Sequence, residues 1–345
     1  MNYDAVVVVS FGGPETREDV MPFLERVTRG RKIPRERLLE VAEHYYHFGG
    51  KSPINEQNRR LVLALRNVLQ SNGPKMPVYW GNRNWHPFLT DTLREMRADG
   101  VRAALAFVTS AYSSYSGCRQ YLEDIARAQA ETGEGAPAVD KLRVFFNHPN
   151  FIAAVADRVR QALAQVSGEK SRTIPIVYTA HSVPLAMAET SGYVQQLEES
   201  CRLVSDALGG RSGRLVYQSR SGSPNQPWLG PDILEHLEEL KAAGVTELLV
   251  VPIGFVSDHM EVLYDLDTAA RERAEKLGIR MFRAQTPGTH PQFIAMIREL
   301  ILERVDPGNN PRRALGRFTA APDDCSADCC PTPQRPGTQR TEAQT

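Results

Sequence analysis

Short apolar runs alternate along the chain with stretches of helical periodicity. Residues 5–9, 77–80, 104–108, 142–146, 174–178, 215–218, 248–253 and 279–282 are rich in Val, Ile, Leu, Phe and Tyr and read as strands. Between them, apolar positions recur every three or four residues over 56–69, 93–98, 151–166 and 233–243, which predicts amphipathic helices. Strands that are apolar on both faces need cover on both faces. The chain is therefore expected to be α/β, with doubly wound parallel sheets.

The chain also resembles itself. Val78-Tyr-Trp80, Pro87-Phe88, Gly100-Val101 and Thr109 to Tyr112 are echoed by Val216-Tyr-Gln218, Pro227-Trp228, Gly244-Val245 and Gly254 to Ser257. The opening strands match as well, with Val9 to Pro14 against Tyr178 to Pro184. Such a duplication predicts two similar domains, 1–150 and 151–305, facing a central cleft and joined near residues 145–170. Clefts of this kind are favoured ligand sites. From 306 to 345 the periodicity ends, and Pro, Gly, Asn, Thr and Arg dominate a tail that also contains cysteines. That composition alone predicts disorder.

Composition narrows the partners. Apolar residues make up 41% of the chain and charged residues 24%, as in ordinary globular proteins. Lys and Arg number 41, as do Asp and Glu, and there is no basic run, so nucleic acid is not expected as a partner. The apolar run at 5–9 is too short to span a bilayer and lacks the flanks of a secretory signal. Five cysteines in 345 residues do not form a disulfide scaffold. A cytoplasmic protein is expected.

In open α/β sheets, chemistry gathers just past the carboxyl ends of the strands. His181 stands there, and Asp258, His259 and Glu261 stand at the equivalent place after the seventh strand. A helix starting near Asp258 would put Asp258, Glu261 and Asp265 on one face, although acids in a first turn also simply offset the helix dipole. The duplication sets Glu261 across the cleft from His181. An imidazole facing a carboxylate can move protons, hold a metal ion, or do both. No G-x-G-x-x-G, Walker A, G-x-S-x-G or H-E-x-x-H motif competes.

Five segments together resemble the ferrochelatase family: Ser10 to Pro14, Gly49 to Pro53, Thr179 to Pro184, Pro227 to Pro231 and Gly254 to Tyr264. The resemblance implies two Rossmann-like domains that insert ferrous iron, the metal substrate, into a porphyrin held between them as part of haem biosynthesis. The tail and opening are most similar to the actinobacterial branch, which implies coproporphyrin III as substrate and coproheme as product. Protoporphyrin IX is the alternative substrate. A cobalt chelatase, or a haem carrier without turnover, would be a different protein on the same architecture. By position, His181 matches the family's metal- and proton-accepting histidine, Glu261 its carboxylate partner, and Asp258 and Asp265 an outer relay that is shortened here by Ala269. Arg29, Tyr45, Ser52 and Ser114 match propionate-binding positions, and the basic stretch continues through Arg31 and Lys32. His44 stands where some relatives carry arginine. Phe11 replaces a tyrosine and can only pack against the macrocycle.

Cys325, Cys329 and Cys330 supply three thiols, and a four-thiolate [2Fe–2S] cluster needs one more. The resemblance points to Cys118 as the fourth ligand, with zinc as the alternative occupant. Cys201 falls in a predicted helix and reads as a buried thiol. A monomer is expected, with a downstream haem-pathway enzyme as a conceivable partner.

Overall fold

Among the described residues, eight strands form two sheets. Ala5–Ser10 (β1), Val78–Asn82 (β2), Ala103–Val108 (β3) and Ala138–Lys141 (β4) make the first, in the order β2-β1-β3-β4. Ile176–His181 (β5), Gly213–Gln218 (β6), Glu247–Val251 (β7) and Arg280–Arg283 (β8) make the second, in the order β6-β5-β7-β8. Every pairing is parallel, so each sheet winds outward from its first strand in the same way. The computed structural model describes residues 2–30, 33–168, 170–221, 226–326 and 328–332; Arg31, Lys32 and the tail from 333 lie outside the described residues.

Alternate residues of each strand serve different layers, because successive side chains leave opposite faces. Val7, Val9, Ala104 and Ala106 pack under helices Leu89–Ala98 and Gln120–Thr132. Val6, Val8, Leu105 and Phe107 face inward, where Tyr178, Leu249 and Val251 of the second sheet join the same core. Helices Ile54–Asn72, Pro149–Leu163, Tyr193–Ala207 and Pro291–Val305 fill that central layer. Phe107, Phe145, Phe151 and Phe293 meet there at centroid separations of 5.4–6.3 Å. Helix Ile233–Ala242 and residues 262–274 cover the outer face of the second sheet.

Two expectations are corrected. The run at 142–146 is not a strand: β4 ends at Lys141, and after one more bond, Leu142 N to Ala106 O, the chain continues as a buried link. Its apolar residues fill the central core, so the run reported burial and not ladder pairing. The repeat also has a different register. Asn82 N donates to Pro87 O and bridges to Phe88, while Tyr217 N donates to Pro231 O and bridges to Asp232. The counterpart of Pro87 is therefore Pro231, and Pro227-Trp228 belongs to an extra excursion in the second repeat.

The described part of the tail follows a route fixed by hydrogen bonds. Leu315 N donates to Asn147 O (2.9 Å), Asn147 Nδ2 to Phe318 O (2.9 Å), and Arg317 N to Glu199 Oε1 (2.7 Å). Buried Arg143 donates to both oxygens of Glu303 (2.7 and 2.9 Å) and to Arg313 O (2.9 Å), fastening the domain joint, the last helix and the tail together.

Candidate active site

His181 is the last residue of β5, paired with Gln218 on β6. The excursion carrying Pro227 and Trp228 braces the loop that follows. Leu229 N donates to Val183 O (3.0 Å), Leu185 N to Pro227 O (3.0 Å), and Ser182 Oγ to Leu229 O (2.8 Å). Tyr193 Oη donates to His181 O at 2.9 Å from the opposite side. The turn after β7 passes so close to β5 that a Cβ on Gly254 would lie 2.7 Å from Ala180 Cα, which accounts for glycine there. The His181 ring is oriented by its own loop, with Nδ1 against Ser182 O (2.5 Å). Nε2 then faces Glu261 Oε1 at 3.6 Å.

The helix carrying Glu261 begins later than the sequence predicts. Asp258 precedes it, His259 caps it by accepting from Glu261 N (3.2 Å), and the first turn is Met260–Val262. It continues as a π-helix over Leu263–Ala270, a widened form often found at functional sites. Gln218 Nε2 holds Glu261 O at 3.1 Å. The Glu261 side chain is 47% exposed, yet the walls around it still desolvate the carboxyl enough to raise it; the nearby His181 and His259 rings outweigh that and hold its pKa at about 2. His181 shows the reciprocal effect: burial disfavours its charge, yet Glu261 and the Ser182 carbonyl raise its pKa overall. Asp265 is pushed up to about 6, by burial first and by the Glu261 charge, against a hydrogen bond from Ser219. His181 and Glu261 thus face each other, and Asp265 lies within electrostatic reach of both.

Asp258 is not part of that group. Its Oδ1 receives Arg283 Nη1 at 2.8 Å, and Arg283 also holds Asp267 with two bonds of 2.7 and 2.8 Å. Gln57 of the first domain clasps the Asp258 backbone, donating to its oxygen (2.8 Å) and accepting from its nitrogen (2.9 Å). Gln57 carries no motif signal, and the sequence reading missed it.

The first domain contributes an aromatic wall. Phe11, 37% exposed, meets Phe23 edge-on at 6.2 Å, and Phe23 meets Tyr45 at 5.9 Å and Trp85 at 6.1 Å. Burial, with the Glu261 charge, keeps the Tyr45 hydroxyl neutral. His44 stacks on Tyr264 of the π-helix at 3.6 Å and 11°, bridging the two domains. Arg29 is exposed. Ser52 and Ser114 are buried: Ser114 Oγ caps its turn by accepting from Gly117 N at 2.9 Å, whereas Ser52 Oγ lies 3.5 Å from Ile54 N and does not cap the helix that follows.

The four cysteines singled out from the sequence lie where the tail returns against the first domain, beside Gln196 of the second. Cys118 sits in a π-helical turn, Tyr115–Arg119. Arg119 donates to Ser326 O (2.8 Å) and Cys329 O (2.9 Å), which brings the tail loop onto that turn. Cys118, Cys325 and Cys329 line a cavity of about 220 Å³ together with Lys141, Ser113 and Phe318. Cys330 has a left-handed backbone (φ 50°), which L-residues rarely adopt, and its Sγ lies 3.7 Å from that of Cys329. The Cys118 thiol is raised by its hydrogen bond to Cys325 and by burial, and Cys325 is lowered by the same bond. Cys201 lies apart, buried in the central core.

A ferrochelatase family model matches residues 3–305. The ferrochelatase of Rhodopirellula baltica is 56% identical over 336 residues, spanning 97% of this chain and 95% of that protein. The coproporphyrin III ferrochelatase of Streptomyces coelicolor is 51% identical over 350 residues, spanning 95% and 93%. Among solved structures, SirB from Bacillus subtilis with Fe3+ superimposes with a TM-score of 0.55 at 10% identity, covering 91% of this chain and all of that one, a likeness of fold. The chain belongs to the ferrochelatase family.

Proposed function

We propose that this protein inserts Fe2+ into coproporphyrin III, giving coproheme for haem biosynthesis. The observation that carries the reading is the His181–Glu261 pair at 3.6 Å, both members of the second domain, at the ends of the neighbouring strands β5 and β7 and not across the cleft from each other as the repeat predicts, and followed by Asp265. Insertion exchanges the two pyrrole N–H protons of the macrocycle for one ferrous ion, so two protons must leave as the metal enters. With Nδ1 donating to Ser182 O, the Nε2 lone pair is free to take a pyrrole proton, and the Glu261 carboxylate stabilises the imidazolium that results. Asp265 can take the proton onward because its carboxyl is tuned to about 6. Phe11, Tyr45 and Trp85 offer a surface for a flat aromatic ligand, and exposed Arg29 suits a propionate. Relatives near 50% identity that are named coproporphyrin III ferrochelatases favour the tetrapropionate substrate. Among the described residues no helix is long and apolar enough to cross a membrane, and all five thiols are unpaired, which suits a reducing cytoplasm.

The cysteine site suits a [2Fe–2S] cluster better than one ion. Among the described residues no group of three or more His, Cys, Asp or Glu gathers closely enough to hold a metal ion, so neither occupant meets a ready-made set of ligands. What supports the cluster is pairing: a binuclear cluster divides four thiolates between two irons, and the contacts supply pairs, Cys118 with Cys325 and Cys329 with Cys330. When bound, the cluster would tie the tail to the first domain.

Anaerobic absorbance of the protein with Fe2+ and either coproporphyrin III or protoporphyrin IX tests the main reading. Turnover of the first should exceed that of the second, and His181→Ala should lower insertion by about 10²–10⁴-fold while porphyrin still binds. A preference for protoporphyrin would overturn the substrate, and a His181→Ala protein active to within a few-fold would overturn the mechanism.

A further inference from the structure

Lys141 ends β4 with its side chain on the wall of the cysteine cavity, and the residue is only 6% exposed. Its Nζ donates to Leu142 O at 3.0 Å and lies within hydrogen-bond reach of the Cys118 thiol. No carboxylate of a described residue pairs with it. The adjacent Asp140 turns away to Tyr3 (2.6 Å) and Arg304 (3.1 Å). A buried ammonium without a counter-ion is strongly disfavoured, and buried lysines are rarely left so. What Lys141 does face, across the same cavity, is Cys118, Cys325 and Cys329. Neutral thiols would not compensate it; thiolates would.

Four thiolates around two ferric ions and two sulfides carry a net charge of minus two, and minus three after one electron is added. Such a group, half enclosed by protein, needs a cation as much as Lys141 needs an anion. We propose that Lys141 is the built-in counter-ion of the metal–thiolate group, and that it thereby sets the group's reduction potential and its retention. The proposal rests on the cluster reading above.

The direction of the effect follows from charge. Removing the cation penalises the reduced, more negative state, so Lys141→Met should move the midpoint potential to more negative values, and Lys141→Arg should leave it near the parent. Dye-mediated titration of the anaerobically purified protein, followed by the visible and electron paramagnetic resonance signals, reads this directly. Thermal melting separates the role from plain packing. In the metal-free protein Lys141→Met should raise the melting temperature or leave it unchanged, because it removes a buried unpaired charge. In the loaded protein the same substitution should lower it. A packing role would lower both equally. If the loaded parent and Lys141→Met share one midpoint, or if the substitution lowers both melting temperatures alike, the assignment of Lys141 is wrong. If the parent contains neither iron nor sulfide, the cluster reading falls and takes this one with it.

Discussion

Gln57 allows a sharp test of how the two domains cooperate. Its side-chain amide meets the backbone of Asp258 in both directions, at 2.8 and 2.9 Å, and Asp258 lies three residues before Glu261. Gln57→Leu keeps the side chain's bulk and removes both bonds. Each is worth a net 0.5–1.5 kcal/mol or so, giving about 1–3 kcal/mol together. If that loss appears as misplacement of Glu261 in the transition state, it corresponds to roughly a 5- to 150-fold fall in turnover. Arg283 still holds the Asp258 carboxylate at 2.8 Å and Gln218 still holds Glu261 O at 3.1 Å, so the lower part of the range, about tenfold, is expected. Gln57→Glu keeps the acceptor and loses the donor, and should fall between parent and Gln57→Leu. The assay is anaerobic loss of free-porphyrin absorbance on adding Fe2+. A positioning role lowers kcat and leaves KM for porphyrin within about twofold. If kcat is unchanged while the melting temperature drops, the clasp is merely a fastening between domains and the reasoning fails.

Two further predictions concern stability. Arg143 and Glu303 are 2% and 5% exposed, so Glu303→Gln should cost about 3–5 kcal/mol in urea unfolding by leaving a buried guanidinium uncompensated, whereas Arg143→Met with Glu303→Leu should recover most of it; a cost under about 1 kcal/mol for Glu303→Gln would show that water reaches the pair. His148 is fully buried, its Nδ1 accepts from Asn150 N at 3.2 Å, and burial with the Arg143 and Arg313 charges holds its pKa at about 3. Its neighbour Glu299 is already taken up by Arg313 (2.9 Å) and Asn150 (2.8 Å). Because the folded pKa lies below the unfolded value, the unfolded chain binds the extra proton: the contribution is complete above about pH 6.5 and is lost towards pH 3, at up to about 1.4 kcal/mol per pH unit. His148→Asn, which keeps a capping acceptor, should flatten that acid limb; an unchanged slope would assign it to other groups.

The architecture was legible because its signal is periodic. Strands buried on both faces are apolar throughout, and eight such runs separated by helical patterns leave few alternatives to parallel sheets. The signal weakened where burial and pairing part company. Phe145 and Phe146 are as apolar as any strand residue, yet they belong to a link through the central core. The register of the repeat failed for a related reason. Pro-aromatic pairs occur at both Pro87-Phe88 and Pro227-Trp228, but only the backbone bonds reveal that Pro231 occupies the first one's place. The excursion that upset the alignment is the same segment that braces the loop after His181, so the second repeat departs from the first where its chemistry needs support.

His181 and Glu261 could be singled out from sequence because the first ends a strand and the second follows one, places fixed by topology. Gln57, Arg283 and Tyr264 could not, since each acts across a contact between elements far apart in the chain, and nothing local marks it. The cysteines lie between these cases. Their number and spacing point to metal chemistry, but adjacent residues normally send side chains in different directions, which makes Cys329-Cys330 an awkward pair of ligands on paper. The left-handed backbone at Cys330 removes the difficulty by bringing the two sulfurs to 3.7 Å. That conformation costs about 1–2 kcal/mol for a residue with a Cβ. Arg119 holds the loop by its carbonyls, while Lys141 waits beneath it without a carboxylate among the described residues. A strained backbone and a buried uncompensated cation are two separate costs, and a negatively charged group bridging the four sulfurs would offset both.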